Sequence, residues 1–264
     1  MGDDAADLAG LNEHEARNRA EWNRIAPEWV ASAERNWAPE SAPHWGIWSV
    51  PEAELRALPC DPDGRDVVEL GCGTAYWSAW LARRGARPVG VDLSENQLAT
   101  VRAMQERHGL AFPLIHASAE RVPLPDASFD LAFSEYGASL WCDPRAWIPE
   151  AARLLRPGGW LAFLTGSVLA SLTAPPFDVP VGETLVRPQR GLLRLEWEDD
   201  PSVEFHLPHG ELMALLADCG FADVALREVY APDGGDPEEL RFFATRGWAQ
   251  RWPVEEIWTA RLRA

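Results

Sequence analysis

The residues best placed to do chemistry stand at one turn and at the end of the strand that follows it. Glu69, Gly71, Cys72 and Gly73 lie within VVELGCGTAY, and Asp92 lies in VGVDL. Residues 67–70 form a short β-branched run that reads as a buried strand. The glycines break it, and an apolar helical pattern begins near Ala75. Glycine at a strand-to-helix turn allows positive φ and lets the backbone approach a ligand, because no Cβ intervenes. Asp92 closes the next apolar strand, which puts a carboxylate at the carboxyl edge of a parallel sheet. There it can accept hydrogen bonds from a ribose diol. The pattern is that of a nucleoside-binding half-fold.

The kind of nucleoside follows from what surrounds the turn. A dinucleotide fingerprint requires a third glycine three residues after the second, and that position is Tyr76. The sequence has no GxxxxGK[ST] loop. Glu69 would repel a phosphate but would favour an ammonium or sulfonium group. A cationic, phosphate-free nucleoside such as S-adenosylmethionine satisfies these conditions.

The E-x-G-x-G pattern followed by Asp92 resembles class I S-adenosylmethionine-dependent methyltransferases. Residues 116–129, HASAERVPLPDASF, resemble the loop after the third strand in members of the ubiquinone/menaquinone-biosynthesis type. LLRPGG at 154–159 resembles the turn into their fifth strand. Together these pieces span about 65–166, each weak alone and specific in combination. VEFHLPHG and RWPVEEIW further along are similar to a group of small bacterial methyltransferases. The resemblance implies that Leu93 packs on adenine and that Ala119 offers it a backbone N–H. It also implies that the backbone of Ser134 faces the methionine part. One position departs from the family, Ser118 standing where an aspartate usually meets the adenine amino group.

By the same resemblance, Glu135 and Tyr136 are the titratable groups nearest the transferred methyl. Loops at the carboxyl ends of central strands carry the site in open α/β sheets. Glu135 could orient or deprotonate an acceptor. Tyr136 and Trp141 read as an aromatic wall beside it, with Tyr136 kept as a catalytic candidate. His206 and His209 are the other candidates for a base. Glu204 and His206 share a face of a strand, but Pro208 turns the chain before His209, so no metal is assigned.

The elements that must position these groups follow from periodicity. Strands are expected at 66–70, 87–91, 112–116, 129–134 and 160–164, with helices at 75–84, 95–108 and 144–154. Such alternation implies an α/β fold, a doubly wound, mostly parallel seven-stranded sheet. Residues 166–201 break the rhythm with prolines and read as an insertion over the carboxyl edge. An added strand is expected at 203–207, a helix at 209–219, a strand at 223–230 and a final helix within 242–263. The expected organisation is an N-terminal helical lid at 1–58 and a methyltransferase domain at 59–264. Residues 166–207 form its substrate-side insertion.

Trp22, Ile25, Trp29, Ala33 and Trp37 recur at helical spacing, interrupted by Pro27. In the resembled family such helices fold over the cofactor, so Trp22 and Trp29 are expected to wall the site. The chain has 14 Trp, and the bulk of them read as packing residues. A net charge of −17 argues against nucleic acid as a partner. No apolar run reaches the length of a membrane span, and the acidic start lacks a basic signal region. The 4 cysteines are scattered without CxxC spacing, which fits a reducing cytoplasm. The expected activity is methyl transfer to a small-molecule acceptor. The alternatives are a protein of this fold that binds the cofactor without methylating, or a nicotinamide-dependent dehydrogenase, which Tyr76 disfavours.

Overall fold

Seven strands form the central sheet of the computed structural model, which describes residues 10–177, 179–198 and 200–264. In chain order they are β1 (Asp66–Leu70), β2 (Arg87–Asp92), β3 (Leu114–His116), β4 (Phe129–Glu135), β5 (Leu155–Gly166), β6 (Phe221–Val229) and β7 (Glu255–Leu262). Their spatial order is β3-β2-β1-β4-β5-β7-β6. The pairs among β1 to β5 are parallel, whereas β7 runs antiparallel between β5 and β6. The chain winds outward from β1 through β2 and β3, then returns to β4 on the other side. That reversal opens a crevice at the carboxyl ends of β1 and β4.

Alternating residues feed two cores, as a pleated strand requires. Val67, Leu131 and Phe133 pack on one face with Trp45 and Trp77. Val68 and Ala132 pack on the other with Trp147 and Ile148. Both faces are covered, which is why these strands read as continuous apolar runs.

The helices include α1 (Glu13–Ile25), α2 (Val30–Asn36), α3 (Tyr76–Arg83), α4 (Glu95–His108) and α5 (Pro144–Leu154), and a further helix, His209–Asp218, precedes β6. The Ser94 side chain caps α4 by accepting the Gln97 N–H. Asp143 caps α5, with Pro144 in the first turn where its missing N–H does no harm. Asn12 and Glu15 form a capping box on α1. Pro27 divides the N-terminal segment, since a 3₁₀ turn, Ala26–Trp29, joins α1 to α2. Residues 51–58 hold a single helical turn, Glu52–Leu55.

The C-terminal segment corrects the sequence reading. In place of a final helix within 242–263 there is one helical turn, Arg246–Ala249, followed by β7. Ile257, Trp258 and Ala260 are buried between β5 and β6, and aromatic and β-branched residues suit that setting. The Arg, Ala and Glu content of the segment favours a helix locally, but pairing on both edges overrides it.

Beyond β5, a short helix (Val168–Thr173) leads to a hairpin of Arg194–Glu196 with Val203–Phe205. The hairpin stands apart from the central sheet and braces α1. Asn18 donates to the Val203 carbonyl at 2.9 Å and accepts the Val203 N–H at 2.7 Å. Arg194 pairs with Glu13 at 2.7 Å. Residues 1–9, the acidic start assigned to the lid, lie outside the described residues.

Candidate active site

A cavity of about 430 Å³ opens at the carboxyl ends of β1, β2 and β4. Its floor is the glycine turn. Gly71 has φ +70°, and a Cβ there would sit 2.6 Å from the Ala138 backbone nitrogen. Gly71 is therefore required by the loop after β4. Gly73 has φ +51°, and a Cβ there would meet nothing within 4 Å, so its free side borders the open cavity. The N–H groups of Gly71 and Cys72 both donate to the Val91 carbonyl, which locks the turn onto β2. Cys72 lines the cavity and burial pushes its thiol well up.

Asp92 stands beside this turn. It accepts the Gly73 N–H at 2.7 Å and the Ser94 N–H at 2.8 Å, while burial raises its carboxyl above the usual range. Glu69 is buried and accepts both the N–H and the hydroxyl of Ser78 in α3. Burial pushes it up to about 8. It lines the cavity and ties the start of α3 to β1 at once.

Leu93, Ser118 and Ala119 line the side of the cavity next to β2 and β3. The Ser118 hydroxyl accepts the Glu120 N–H at 3.1 Å. Ser134 is fully buried and is not among the lining residues. Its hydroxyl donates to the Leu70 carbonyl and accepts the Ser139 N–H, joining the ends of β1 and β4.

Glu135 and Tyr136 line the opposite side. One Glu135 oxygen accepts the Gly46 N–H at 2.8 Å, and the other accepts the Trp77 indole N–H at 2.9 Å. Burial pushes Glu135 up to about 7. The Tyr136 hydroxyl donates to Glu255 at 2.6 Å, and the same carboxylate accepts the Ile47 N–H at 2.7 Å. Glu255 is fully buried, which also raises it to about 7. Every donor to Glu69, Asp92, Glu135 and Glu255 named here is neutral.

The roof is aromatic. Trp22 lies 5.8 Å from Trp29 and 5.3 Å from Trp141, centroid to centroid. Trp29 stacks on Phe242 at 6.1 Å, and all four rings line the cavity. Trp37, which shares their spacing in sequence, is instead fully buried and donates its indole N–H to the Thr74 carbonyl. Phe242 tops a hairpin of Leu240–Arg241 with Ala244–Thr245. The sequence marks neither that hairpin nor the strap carrying His44, Gly46 and Ile47 as a cavity wall. Neither has a periodic pattern, because each meets the site through single long-range contacts.

His206 and His209 lie elsewhere. His206 places its Nδ1 2.9 Å from the Ser171 hydroxyl and its Nε2 2.9 Å from Glu204. His209 meets Glu256 at 2.8 Å and the Trp258 ring edge-on. Neither histidine lines the cavity, and none of the described residues of 166–207 does so. Among the described residues no three His, Cys, Asp or Glu side chains come together to hold a metal.

Comparison with known proteins agrees with this geometry. Residues 68–163 match the family described as "Methyltransferase domain". A malonyl-[acyl-carrier protein] O-methyltransferase of Serratia marcescens is 38% identical over 103 residues, which are 39% of this chain and 38% of that protein. A "Probable S-adenosylmethionine-dependent methyltransferase" of Mycobacterium tuberculosis is 30% identical over 197 residues, 70% of this chain and 63% of its own length. The chain thus spans between 38% and 63% of these curated relatives. The crystal structure of an S-adenosylmethionine-dependent methyltransferase from Mesorhizobium loti superposes with a TM-score of 0.62 at 26% identity. That match covers 82% of this chain and 100% of the other. The fold is the Rossmann-like α/β fold of class I S-adenosylmethionine-dependent methyltransferases. Residues 68–163 are similar to the methyltransferase domains of that class.

Proposed function

We propose that this protein transfers a methyl group from S-adenosylmethionine to a small-molecule acceptor. The observation that carries the reading is the joint placement of Gly73, Asp92 and Glu135 around one cavity at the crevice of the sheet. Gly73 leaves open space at the turn, and among the described residues the donors to the surrounding carboxylates are neutral. Both features fit a cationic nucleoside without phosphates. When bound, S-adenosylmethionine supplies a methyl group on a sulfonium whose departure leaves a neutral thioether.

Asp92 would hold the ribose diol, Leu93, Ser118 and Ala119 the adenine, and the turn at Gly71, Cys72 and Gly73 the adjoining chain. Glu69 and Glu135 would face the positive charge. Glu135 also serves as proton acceptor. A carboxylate offers about four lone-pair sites, and its two structural donors leave others open to an acceptor hydroxyl or amine. Its value near 7 suits a general base at neutral pH. Trp22, Trp29, Trp141 and Phe242 would exclude water above the reacting groups and favour an apolar acceptor, while the α1–α2 segment acts as a lid. Alignment of acceptor, methyl and sulfur supplies the larger part of the acceleration.

Several curated relatives are named for O-methylation, so oxygen acceptors are the first to test. The 116–129 loop supports a subtype like the ubiquinone/menaquinone-biosynthesis enzymes. The free cysteines support a reducing, cytoplasmic setting. The test is calorimetry with S-adenosylhomocysteine, together with transfer of labelled methyl to phenols, fatty acids and amines. Micromolar binding with transfer is expected. Absence of any binding would overturn the reading, and binding without transfer to any acceptor would favour a non-methylating role.

A further inference from the structure

Gln97 is only 2% exposed, and its side-chain carbonyl oxygen is buried with no hydrogen-bond partner. More than nine in ten buried polar groups are paired, so an orphaned amide in a cavity wall calls for a ligand. Gln97 lies in the first turn of α4, where its own N–H is taken by the Ser94 hydroxyl, and the residue borders the cavity. This inference rests on the cofactor assignment above and extends it to the base.

The topology says which part of a nucleoside meets this amide. With the ribose on Asp92, the glycine turn and Glu135 lie on the β1 and β4 side, where the charged tail belongs. The base must then extend toward β3, into the space between Leu93, Gln97, Ala117, Ser118 and Ala119. Leucine and alanine side chains there suit the faces of a flat purine. Its polar edge still needs partners. The Ser118 hydroxyl already accepts from the Glu120 N–H. The Glu120 carboxylate faces away, held by His14 at 2.7 Å and by the Asp143 N–H at 2.8 Å.

We propose that Gln97 is the residue that selects adenine, its amide carbonyl accepting from the exocyclic amine and its NH₂ facing an adjacent ring nitrogen. A glutamine amide matches the N6/N7 edge of adenine in this two-bond manner when proteins read that base in the DNA major groove. The position thus takes over the acceptor role that Ser118, neutral and short, fills poorly.

The probe is S-inosylhomocysteine, in which a carbonyl replaces the adenine amine, measured by calorimetry against S-adenosylhomocysteine. The wild type is expected to prefer the adenine ligand by roughly tenfold to a hundredfold, the discrimination typical of a bidentate amide–base pair. Gln97→Leu, and Gln97→Asn with its amide one carbon shorter, should both shrink the preference to within about threefold by weakening the adenine ligand. Gln97→Glu, which keeps an acceptor oxygen at full length, should retain a preference and guards against a variant that fails to fold. Thermal melting of each variant with neither ligand present separates misfolding from lost recognition. Folded Leu and Asn variants with the wild-type preference would overturn the proposal, as would collapse of the preference in Ser118→Ala alone. A wild type that binds neither ligand would instead overturn the methyltransferase reading itself.

Discussion

The Glu135 carboxylate accepts the Gly46 N–H at 2.8 Å, so the end of β4 holds a strap that lies 89 residues earlier in the chain. Its second oxygen holds the Trp77 indole of α3. One side chain thus fixes two walls of the cavity while facing its interior. Ile47, the next residue of the strap, is held in the same way by Glu255. The strap is clamped by two carboxylates from two strands.

Glu135→Gln replaces one acceptor oxygen by an NH₂ that must face an N–H donor. As the proposed base, Glu135 should lower methyl transfer by roughly 10²–10⁴ when so changed, with S-adenosylhomocysteine affinity nearly preserved. Labelled-methyl assays and calorimetry on the same preparation separate the two effects. A loss below about threefold would mean that the residue only positions the strap. His206→Ala should instead reduce the melting temperature, because it leaves Ser171 and Glu204 without their shared partner.

Asp92→Ala should weaken S-adenosylhomocysteine by about 1–3 kcal/mol, the worth of hydrogen bonds to a charged group. It should also lower the melting temperature of the free protein, since Asp92 pins the Gly73 and Ser94 N–H groups. Calorimetry with unchanged affinity would remove Asp92 from the ribose contact and leave it as a turn anchor.

Much of this arrangement was legible in the sequence because it is local. The span of α4 is marked by Ser94 at one end and Gly109 at the other, and that of α5 by Asp143 and Pro144. Gly71, Gly73 and Asp92 were legible because a strand-to-helix turn and a strand end carry their own patterns. What escaped depends on distant partners. Ile47 and Glu255 are 208 residues apart, and nothing near either residue announces the other. β7 reads as helical from its Ala, Arg and Glu content, and only pairing with β5 and β6 makes it a strand. Trp22, Trp29 and Trp37 look equivalent in sequence until the 3₁₀ turn at Pro27 sends Trp37 into the core.

That divergence makes the tryptophans a test of the lid. Trp37→Ala empties a fully buried site and removes the bond to Thr74, so it should destabilise the fold by about 3–5 kcal/mol. Trp29→Ala leaves half-exposed surface beside Phe242, so its melting temperature should shift far less. Its mark should be slower acceptor turnover and readier access of iodide quencher to the remaining cavity tryptophans. If Trp29→Ala melts as early as Trp37→Ala, the roof is core and not a lid.

The carboxylates around the cavity predict a pH dependence that separates substrate from product. Burial raises Glu135 to about 7 and Glu69 to about 8, so the free protein favours their neutral forms. The stability this contributes is fully present below the ordinary carboxyl range and is lost as pH rises through 7 to 8. The melting temperature of the free protein should therefore fall as pH rises from the ordinary carboxyl value of 4.5 to about 8, and level off above it. A sulfonium nearby favours the ionised carboxylates, whereas the thioether product is neutral at sulfur. The affinity of S-adenosylmethionine relative to S-adenosylhomocysteine should then rise across the same window, by up to about tenfold per pH unit for each proton released. The ratio cancels the titration of the amino acid and adenine groups that both ligands share. In Glu135→Gln the lower part of this rise should disappear while the part centred near 8 stays. A flat ratio in the wild type would show that neither carboxylate senses the sulfonium charge, and would move the tail of the cofactor away from the β4 side of the cavity.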